Sequence, residues 1–400
     1  MFLFVQPTLG ATIKVSPAIN ALSKALKAAN KNDTLLIQPG IYKEHDILID
    51  KKLTVIGVQW PIIDGENKSQ LIFITADSVT VQGLQVQNTG RSSMTDMAGI
   101  RVQNANFANV QGNKVLNTTY GIYLQNAAYC LIKGNLIHAN AVDELNSGNG
   151  VHAWKCHDLF IDNNDIAGHR DGIYFEFVTQ SHIRGNKSKR NVRYGLHFMF
   201  SHNDTYSKNE FSDNGSGVAV MYSKGVVMTD NIFRHNWGDA AYAILLKEIA
   251  NSHIEHNLFV KNTVALYMES STNIKVEKNR FIDNGWAIRV TASCDKSTFQ
   301  LNNFIGNSFD VTTNGTVMLN VFRQNYWDKY DGYDLDKNGI GDVPYYPVSL
   351  YSVITERIPT AMILYRSFLT NIMDQVEKVM PSVTPDQLKD TEPRMKKWNL

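Results

Sequence analysis

Histidine, methionine and cysteine occur together in the middle of this 400-residue chain, in a few stretches that are otherwise apolar and aromatic. Nitrogen and sulfur atoms of this kind are ligands for copper, and thioether and thiolate sulfur favour Cu(I). A glutamate in the same stretches could add an oxygen ligand. The candidate copper ligands are His197, Met199, Met221, Glu176, His152, Cys156 and His202.

Further along the chain lies a second candidate metal site. The oxygen-bearing side chains of this segment have the spacing of the first nine positions of an EF-hand calcium loop. Tyr345 stands where the loop's final glutamate is expected, so the alternative is a polar turn that needs no ion. The candidate ligands for a structural calcium are Asp334, Asp336, Asn338 and Asp342.

A repeat places the copper candidates relative to one another. Two markers, an asparagine and a glycine or alanine before an apolar residue, keep step along the chain at a period of about 22 residues. The asparagines are Asn113, Asn135, Asn164, Asn186, Asn209, Asn231, Asn257, Asn279 and Asn302. This period is too short for helical hairpin repeats, and apolar and polar residues alternate between the turns as in strands. The sequence therefore predicts an all-β fold, a right-handed parallel β-helix.

Side-chain alternation then predicts an unusual outer face. The first and third residues after each glycine or alanine marker are apolar and should point inward, as do Leu196 and Phe198. The second and fourth should point outward, and here they include histidine, tryptophan, tyrosine and methionine instead of the usual small polar residues. This predicts either a copper site or a hydrophobic patch for a protein partner, and Glu176 with His197 could also be a plain ion pair.

Two insertions fall at one corner of the repeat and bracket the same coils. The interval from the asparagine to the next marker is normally 8 residues, but it is 15 from Asn135 to Gly150 and 12 from Asn231 to Ala243. Insertions in solenoids tend to flank the binding face.

The ends of the chain depart from the repeat. We expect a signal-peptide remnant and a helical N-terminal cap in residues 1–40, the β-helix in 41–327, and a calcium-like loop with a partner-binding tail in 328–400. The cap should contain a short helix, with Ile19, Leu22 and Leu26 on one face, and then a strand. The first residues are equally consistent with a simple terminus.

Composition excludes several classes of function. Lys plus Arg number 39 and Asp plus Glu 38, so no general attraction to nucleic acid is indicated. The three cysteines are too few for a disulfide framework, and no phosphate-binding loop or hydrolase motif is present. No stretch approaches the roughly 20 apolar residues that span a bilayer.

The central motifs resemble the NosD family of periplasmic β-helix proteins, which are required to mature nitrous oxide reductase. The similarity is carried by DGIYFEF at 171–177, RYGLHFMFSHND at 193–204 and GVAVMYS at 217–223, and extends to NWG, LLKEI and NGWAIRV further on. The N-terminal cap and the segment 325–345 fit the same family.

The resemblance implies an accessory protein and not an enzyme. It implies a periplasmic location and work with an ABC transporter permease and ATPase, a copper-chaperone lipoprotein and nitrous oxide reductase itself. Copper would be bound transiently during assembly of the copper–sulfur centre. We expect the tail from Ile358 to Met380 to dock on the transporter as an apolar helix.

The alternatives come from other classes of protein. Many polysaccharide lyases and epimerases use this fold, and His169, Arg170, Asp171 and Glu176 could supply the acid–base groups that they need. The Asp-Pro-His-Asp signature of alginate epimerases is absent, and the outer face is richer in methionine and aromatic residues than a sugar groove requires. A third alternative is a purely structural, adhesin-like solenoid. Such a protein would not be expected to have a single outer face rich in histidine, methionine and aromatic residues.

Overall fold

The structure, a computed structural model, describes residues 10–92, 94–238, 240–315, 319–365, 367–370, 372–373 and 388–400. The first nine residues, which contribute to the predicted signal remnant, lie outside this range, as do residues 366, 371 and 374–380 of the helix predicted between Ile358 and Met380. Contacts divide the chain into two units, Met1–Arg193 and Tyr194–Leu400. Both are right-handed parallel β-solenoids, so the predicted fold class is confirmed.

A coil contributes one short strand to each of three parallel sheets. We call them sheets I, II and III in the order in which a repeat passes through them after its glycine or alanine marker. In the first unit, sheet I contains Ile47–Ile49, Ile72–Ile74, Ala98–Gln103, Tyr120–Gln125, Val151–Trp154 and Asp171–Glu176. Sheet II contains Thr12–Val15, Thr34–Ile37, Thr54–Gly57, Thr80–Gln82, Asn109–Gln111, Leu131–Lys133, Phe160–Asp162 and His182–Arg184. Sheet III contains Ile41–Lys43, Ile62–Asp64, Gln85–Gln87, Lys114–Leu116, Leu136–His138, Asp165–Ala167 and Lys187–Lys189.

The second unit repeats this arrangement. Its sheet I contains Tyr194–Met199, Ser216–Met221, Tyr242–Lys247, Val264–Glu269, Trp286–Val290 and Phe309–Thr313. Its sheet II contains Thr205–Ser207, Val227–Thr229, Ala250–Glu255, Thr272–Glu277, Asp295–Gln300 and Leu319–Arg323. Its sheet III contains Glu210–Ser212, Ile232–Arg234, Leu258–Val260, Arg280–Ile282, Asn303–Ile305 and Tyr326–Trp327.

The repeating asparagines are buried at the corner between sheets II and III. In the second unit the Nδ2 atom of Asn231 donates to Asn257 Oδ1 at 3.0 Å, and Asn257 repeats this bond to Asn279 Oδ1. The same Oδ1 atoms accept the backbone N–H of the preceding coil's asparagine, and Nδ2 also reaches a backbone carbonyl. These coils of the second unit are thus bonded to one another through polar groups that burial would otherwise leave unpaired.

Aromatic rings stack inside the second unit along sheet III. Phe233, Phe259, Phe281 and Phe304 lie one above another with ring centroids 4.7–4.9 Å apart, and Trp327 closes the stack at 4.0 Å from Phe304. All five side chains are buried. Their spacing is that of neighbouring strands, because each ring occupies the same position in successive coils.

A short helix covers the N-terminal end, as predicted. It runs from Ala21 to Ala28 and buries Leu22 and Leu26, whereas Ile19 precedes the helix and is exposed, so its predicted place on the buried face is wrong. The Glu44 carboxylate accepts the N–H groups of Leu22 and Ser23 at the start of the helix. These bonds satisfy N–H groups that have no partner inside a helix and place negative charge at its positive end.

A segment distant in sequence closes the C-terminal end of the asparagine ladder. One Asp390 carboxylate oxygen accepts hydrogen bonds from the backbone N–H and Nδ2 of Asn325 and from Trp327 Nε1, at 3.0–3.1 Å. The other accepts the N–H of Gln324 at 3.1 Å. Asp390 is fully buried and stands where the next coil's asparagine oxygen would be. The tail therefore contributes the terminal cap of the solenoid.

This cap predicts a large effect of one substitution. Asp390→Ala should lower the free energy of unfolding by about 2–5 kcal/mol, since several buried donors lose their acceptor. Asp390→Asn keeps an amide oxygen of the kind that the preceding coils of the second unit use, and should lose less. Urea unfolding measures both, with Lys397→Ala on the exposed part of the same tail as the control. Equal stability of Asp390→Ala and Lys397→Ala would contradict the proposed cap.

Candidate metal and partner surface

In the first unit, the outer side of sheet I carries a column of aromatic rings around His152. Strand register places Tyr123, His152 and Tyr174 side by side on successive coils. The His152 ring lies 4.4 Å from that of Tyr123 and 4.9 Å from that of Tyr174, and Tyr120 approaches its edge at 5.4 Å. The column faces outward as predicted, but the tyrosines enclose the imidazole and leave it only 8% exposed.

The surroundings of His152 keep its imidazole neutral. Burial lowers the pKa of His152 to about 3, and the positive charge of Arg170 acts in the same direction. Its Nδ1 lies 2.9 Å from Asn149 Nδ2, an amide donor, so Nδ1 accepts and Nε2 carries the hydrogen. A metal would need the Nε2 lone pair, which requires the other tautomer and a turned amide. The described geometry of His152 therefore favours packing over metal ligation.

Glu176 lies at the edge of the same surface. Its Cα is paired with that of Trp154 on the previous coil, and Tyr174 donates its hydroxyl hydrogen to Glu176 Oε2 at 3.2 Å. Burial, reinforced by the Glu176 charge, raises the pKa of Tyr174 to about 12. Glu176 is half-buried and could still accept a cation at its free oxygen. It belongs to the first unit and His197 to the second.

Cys156, one of the candidate copper ligands, is buried and does not reach the outer face. Its side chain is 2% exposed, its sulfur lies 3.3 Å from the carbonyl oxygen of Trp154, and burial raises the pKa of the thiol to about 12. The cause is the corner at Lys155, whose left-handed backbone (φ 52°) interrupts strand alternation. Cys156 thus turns inward as a protonated thiol, and protonated thiols are poor metal ligands.

In the second unit, two methionines stand side by side on the outer side of sheet I. The Cα atoms of Met199 and Met221 are register partners on adjacent parallel strands, which lie about 4.8 Å apart. His197 is two residues before Met199, so it shares the outward direction, and its ring packs 4.9 Å from that of Tyr194. Both methionines are half-buried, whereas His197 is only 5% exposed. This unit therefore presents two thioethers in contact range with an imidazole beside them.

His202 lies beyond the corner that ends the strand Tyr194–Met199. The left-handed backbone at Phe200 and Asn203 brackets the turn that carries the chain from sheet I towards sheet II. Burial lowers the pKa of His202, and the charge of Lys224 adds to the effect. His202 is thus on a neighbouring side of the coil and not in the column of Met199 and Met221.

The calcium-like loop is closed by its own hydrogen bonds. The Asp334 carboxylate accepts the N–H groups of Asn338 and Gly339, and Asp342 Oδ2 accepts that of Leu335 at 2.7 Å. Asp336 accepts both the N–H and the side-chain amide of Asn338. These bonds fit the polar turn named as the alternative, and calcium binding stays a prediction.

The tail that was predicted to bind a partner begins with two short helical segments. The α-helix Leu350–Arg357 packs on the strand Phe309–Thr313, and Glu356 accepts hydrogen bonds from Arg289 at 2.8 and 2.9 Å. A 3₁₀ helix, Pro359–Leu364, follows. Ile363 and Phe368 are 89% and 80% exposed, which is unusual for large apolar side chains. No helix among the described residues is long and apolar enough to cross a bilayer.

One cluster was missed by the reasoning from sequence. His253, Glu255 and Glu277 come together on the outer side of sheet II in the second unit. The available signal was His-x-Glu on a strand with another glutamate one coil later, at the position that stacks on Glu255.

Comparison with known proteins shows that this chain is similar to one family. Residues 139–332 match the family model described as NosD, a periplasmic copper-binding protein. A "Probable ABC transporter binding protein NosD" from Pseudomonas aeruginosa is 27% identical over 370 residues, which cover 88% of this chain and 86% of that protein. Its counterpart from Stutzerimonas stutzeri is 26% identical, over 84% of this chain and 80% of that protein. The resemblance to NosD is therefore confirmed.

Solved structures share the fold alone. The catalytic unit of a GH87 α-1,3-glucanase from Streptomyces thermodiastaticus has a TM-score of 0.59 at 14% identity, over 81% of this chain and 70% of that one. The AlgE4 A-module, a mannuronan C-5 epimerase of Azotobacter vinelandii, has a TM-score of 0.56 at 13% identity, over 77% of this chain and 89% of that one. At this identity the likeness supports a parallel β-helix and carries no activity over to this chain.

Proposed function

We propose, from its resemblance to the NosD family, that this chain is a periplasmic accessory protein in the maturation of nitrous oxide reductase. It would act with the permease and ATPase of an ABC transporter and with a copper-chaperone lipoprotein, in assembly of the reductase's copper–sulfur centre. The chain has no phosphate-binding loop of its own, so nucleotide hydrolysis would belong to the separate ATPase.

The pairing of Met199 with Met221 is the observation that best supports a role with copper. Two thioethers held on adjacent strands are soft ligands, and an imidazole on the same side completes a set that suits Cu(I) better than harder cations. The methionines are half-buried and so remain within reach of a donor protein. Neutral thioether ligands bind without releasing protons, and this suits a site that must pass its ion on.

This site predicts the behaviour of one triple variant. His197→Ala, Met199→Ala and Met221→Ala together should lower the affinity for Cu(I) by at least about tenfold, or about 1.4 kcal/mol, since the three proposed ligands are removed. Competition with a colorimetric Cu(I) chelator under anaerobic conditions measures the affinity. The control combines His45→Ala, Met94→Ala and Met97→Ala, which removes the same residue types from the first unit. Unchanged Cu(I) stoichiometry and affinity in the site variant would exclude these ligands.

The exposed apolar side chains of the tail support a docking role for the segment from Ile358 to Met380. Those in the described part of the segment are Ile358, Ile363, Leu364, Phe368, Leu369 and Ile372. An apolar helix can bury such a stripe in the groove of a partner. We propose that the partner is the transporter permease. Deleting the tail is a poor test of this proposal, because Asp390 further along the same tail caps the solenoid.

Point substitutions test the docking role without removing the cap. Ile363→Ser with Phe368→Ser should abolish co-purification with the permease, because the groove loses its two most exposed apolar contacts. The control is Val142→Ser with Leu145→Ser, which removes equally exposed apolar side chains from a loop in the first unit. Co-purification of the permease at the wild-type level with the tail variant would refute this docking segment.

The enzyme alternative receives less support from the site. A lyase or epimerase needs a carboxylate that is open to substrate, but the buried Asp171 is bound on both oxygens by the guanidinium of Arg193. Tyr120, Tyr123 and Tyr174, whose rings pack around His152, have raised pKa values and remain protonated. Turnover of alginate or pectate by the purified chain would reverse this assessment.

A further inference from the structure

Three ionisable side chains converge on the outer side of sheet II in the second unit. His253 and Glu255 lie two residues apart on the strand Ala250–Glu255, so both point outward, and the Cα of Glu255 is the register partner of that of Glu277 on the next coil. His253 Nε2 lies 2.8 Å from Glu277 Oε1 and 3.8 Å from Glu255 Oε2. One ligand atom from each side chain lies within 4.8 Å of the other two.

This is the one group of three or more His, Cys, Asp or Glu side chains in the described part of the chain that is close enough to hold a metal ion. Two glutamates directly opposite each other on adjacent strands repel, and such pairs destabilise a sheet unless something offsets their charge. Both are largely removed from solvent, with side chains 23% and 16% exposed. A cation between the two carboxylates would therefore offset their repulsion.

Neighbouring residues hold the two carboxylates so that one oxygen of each remains for that cation. Lys278 Nζ lies 2.8 Å from Glu255 Oε1, and the amide of Gln300 donates to Glu277 Oε2. The remaining oxygens, Glu255 Oε2 and Glu277 Oε1, are those that approach His253 Nε2. Outer hydrogen bonds that orient ligand carboxylates are typical of metal sites in proteins. Lys278 offsets one carboxylate charge, and a metal ion held by the remaining oxygens would offset the other.

We propose that His253, Glu255 and Glu277 form a binding site for a divalent transition-metal ion, separate from the Cu(I) ligands on sheet I. One imidazole nitrogen and two carboxylate oxygens suit Zn²⁺ or Cu²⁺, and three protein ligands leave a position open for water or an exchanging ligand. The cluster has no thiolate or thioether, so it discriminates against Cu(I). His256, with Nδ1 3.4 Å from Glu255 Oε1, adds a second imidazole at the rim.

Titration of the whole protein with Zn²⁺ alone, by calorimetry at pH 7.5, tests this site. His253→Gln with Glu277→Gln should remove one bound Zn²⁺ per chain, because the imidazole nitrogen is lost and one carboxylate loses its charge, while both side chains can still form hydrogen bonds. Gln300→Leu should weaken the same site by about 10- to 100-fold, since it only frees a carboxylate to rotate. His197→Ala with Met199→Ala and Met221→Ala should leave Zn²⁺ binding unchanged, so this test is independent of the proposed function.

The control is His138→Gln in the first unit. His138 Nε2 lies 3.1 Å from Asp165 Oδ1, and Lys189 contacts the same carboxylate, but no second acid is present. This variant should bind Zn²⁺ as the wild type does. With Cu²⁺ as the probe, electron paramagnetic resonance should show nitrogen coupling that disappears in His253→Gln. Absence of Zn²⁺ binding by the wild type, or equal binding by the double variant, would show that the cluster is an ion pair only.

Discussion

The hydrogen bond from one buried asparagine amide to the next fixes the geometry on which the rest of each unit depends. Each amide joins two coils and also satisfies backbone groups at the corner, so neither the spacing nor the register of the coils can shift by a residue without leaving buried polar groups unpaired. A slip of one residue would turn every outward side chain inward. The side-by-side placement of Met199 and Met221 follows from that register.

Corners with a left-handed residue mark the limits of each outward-facing column. Within a strand, alternation decides which side chains reach the surface, but a residue such as Lys155 or Phe200 resets it. Cys156 and His202 follow these corners and therefore lie outside the outward-facing columns, although they are close in sequence to His152 and Met199. Fewer potential ligands therefore lie on the outer face of sheet I than are clustered in the sequence.

Much of the fold could be predicted because the residue types that recur in its repeat each have one physical role. The period, the inward residues such as Leu196 and Phe198, the N-terminal helix and the strand that follows it are all found as expected. The site was less predictable for two reasons. Periodicity predicts which way a side chain points but not which neighbours shield it from solvent. It therefore could not show that tyrosines enclose His152. It also could not show which segment distant in sequence would supply Asp390 to end the ladder, because that contact has no period.

We propose that this register brings the Met199 and Met221 thioethers onto one Cu(I) ion. X-ray absorption at the copper edge of the Cu(I)-loaded protein tests it most directly, because the extended fine structure counts sulfur neighbours. We expect two sulfur ligands with a nitrogen in the wild type, and loss of one sulfur in Met221→Ala. A copper environment of nitrogen and oxygen alone, or a sulfur count unchanged in Met221→Ala, would contradict it.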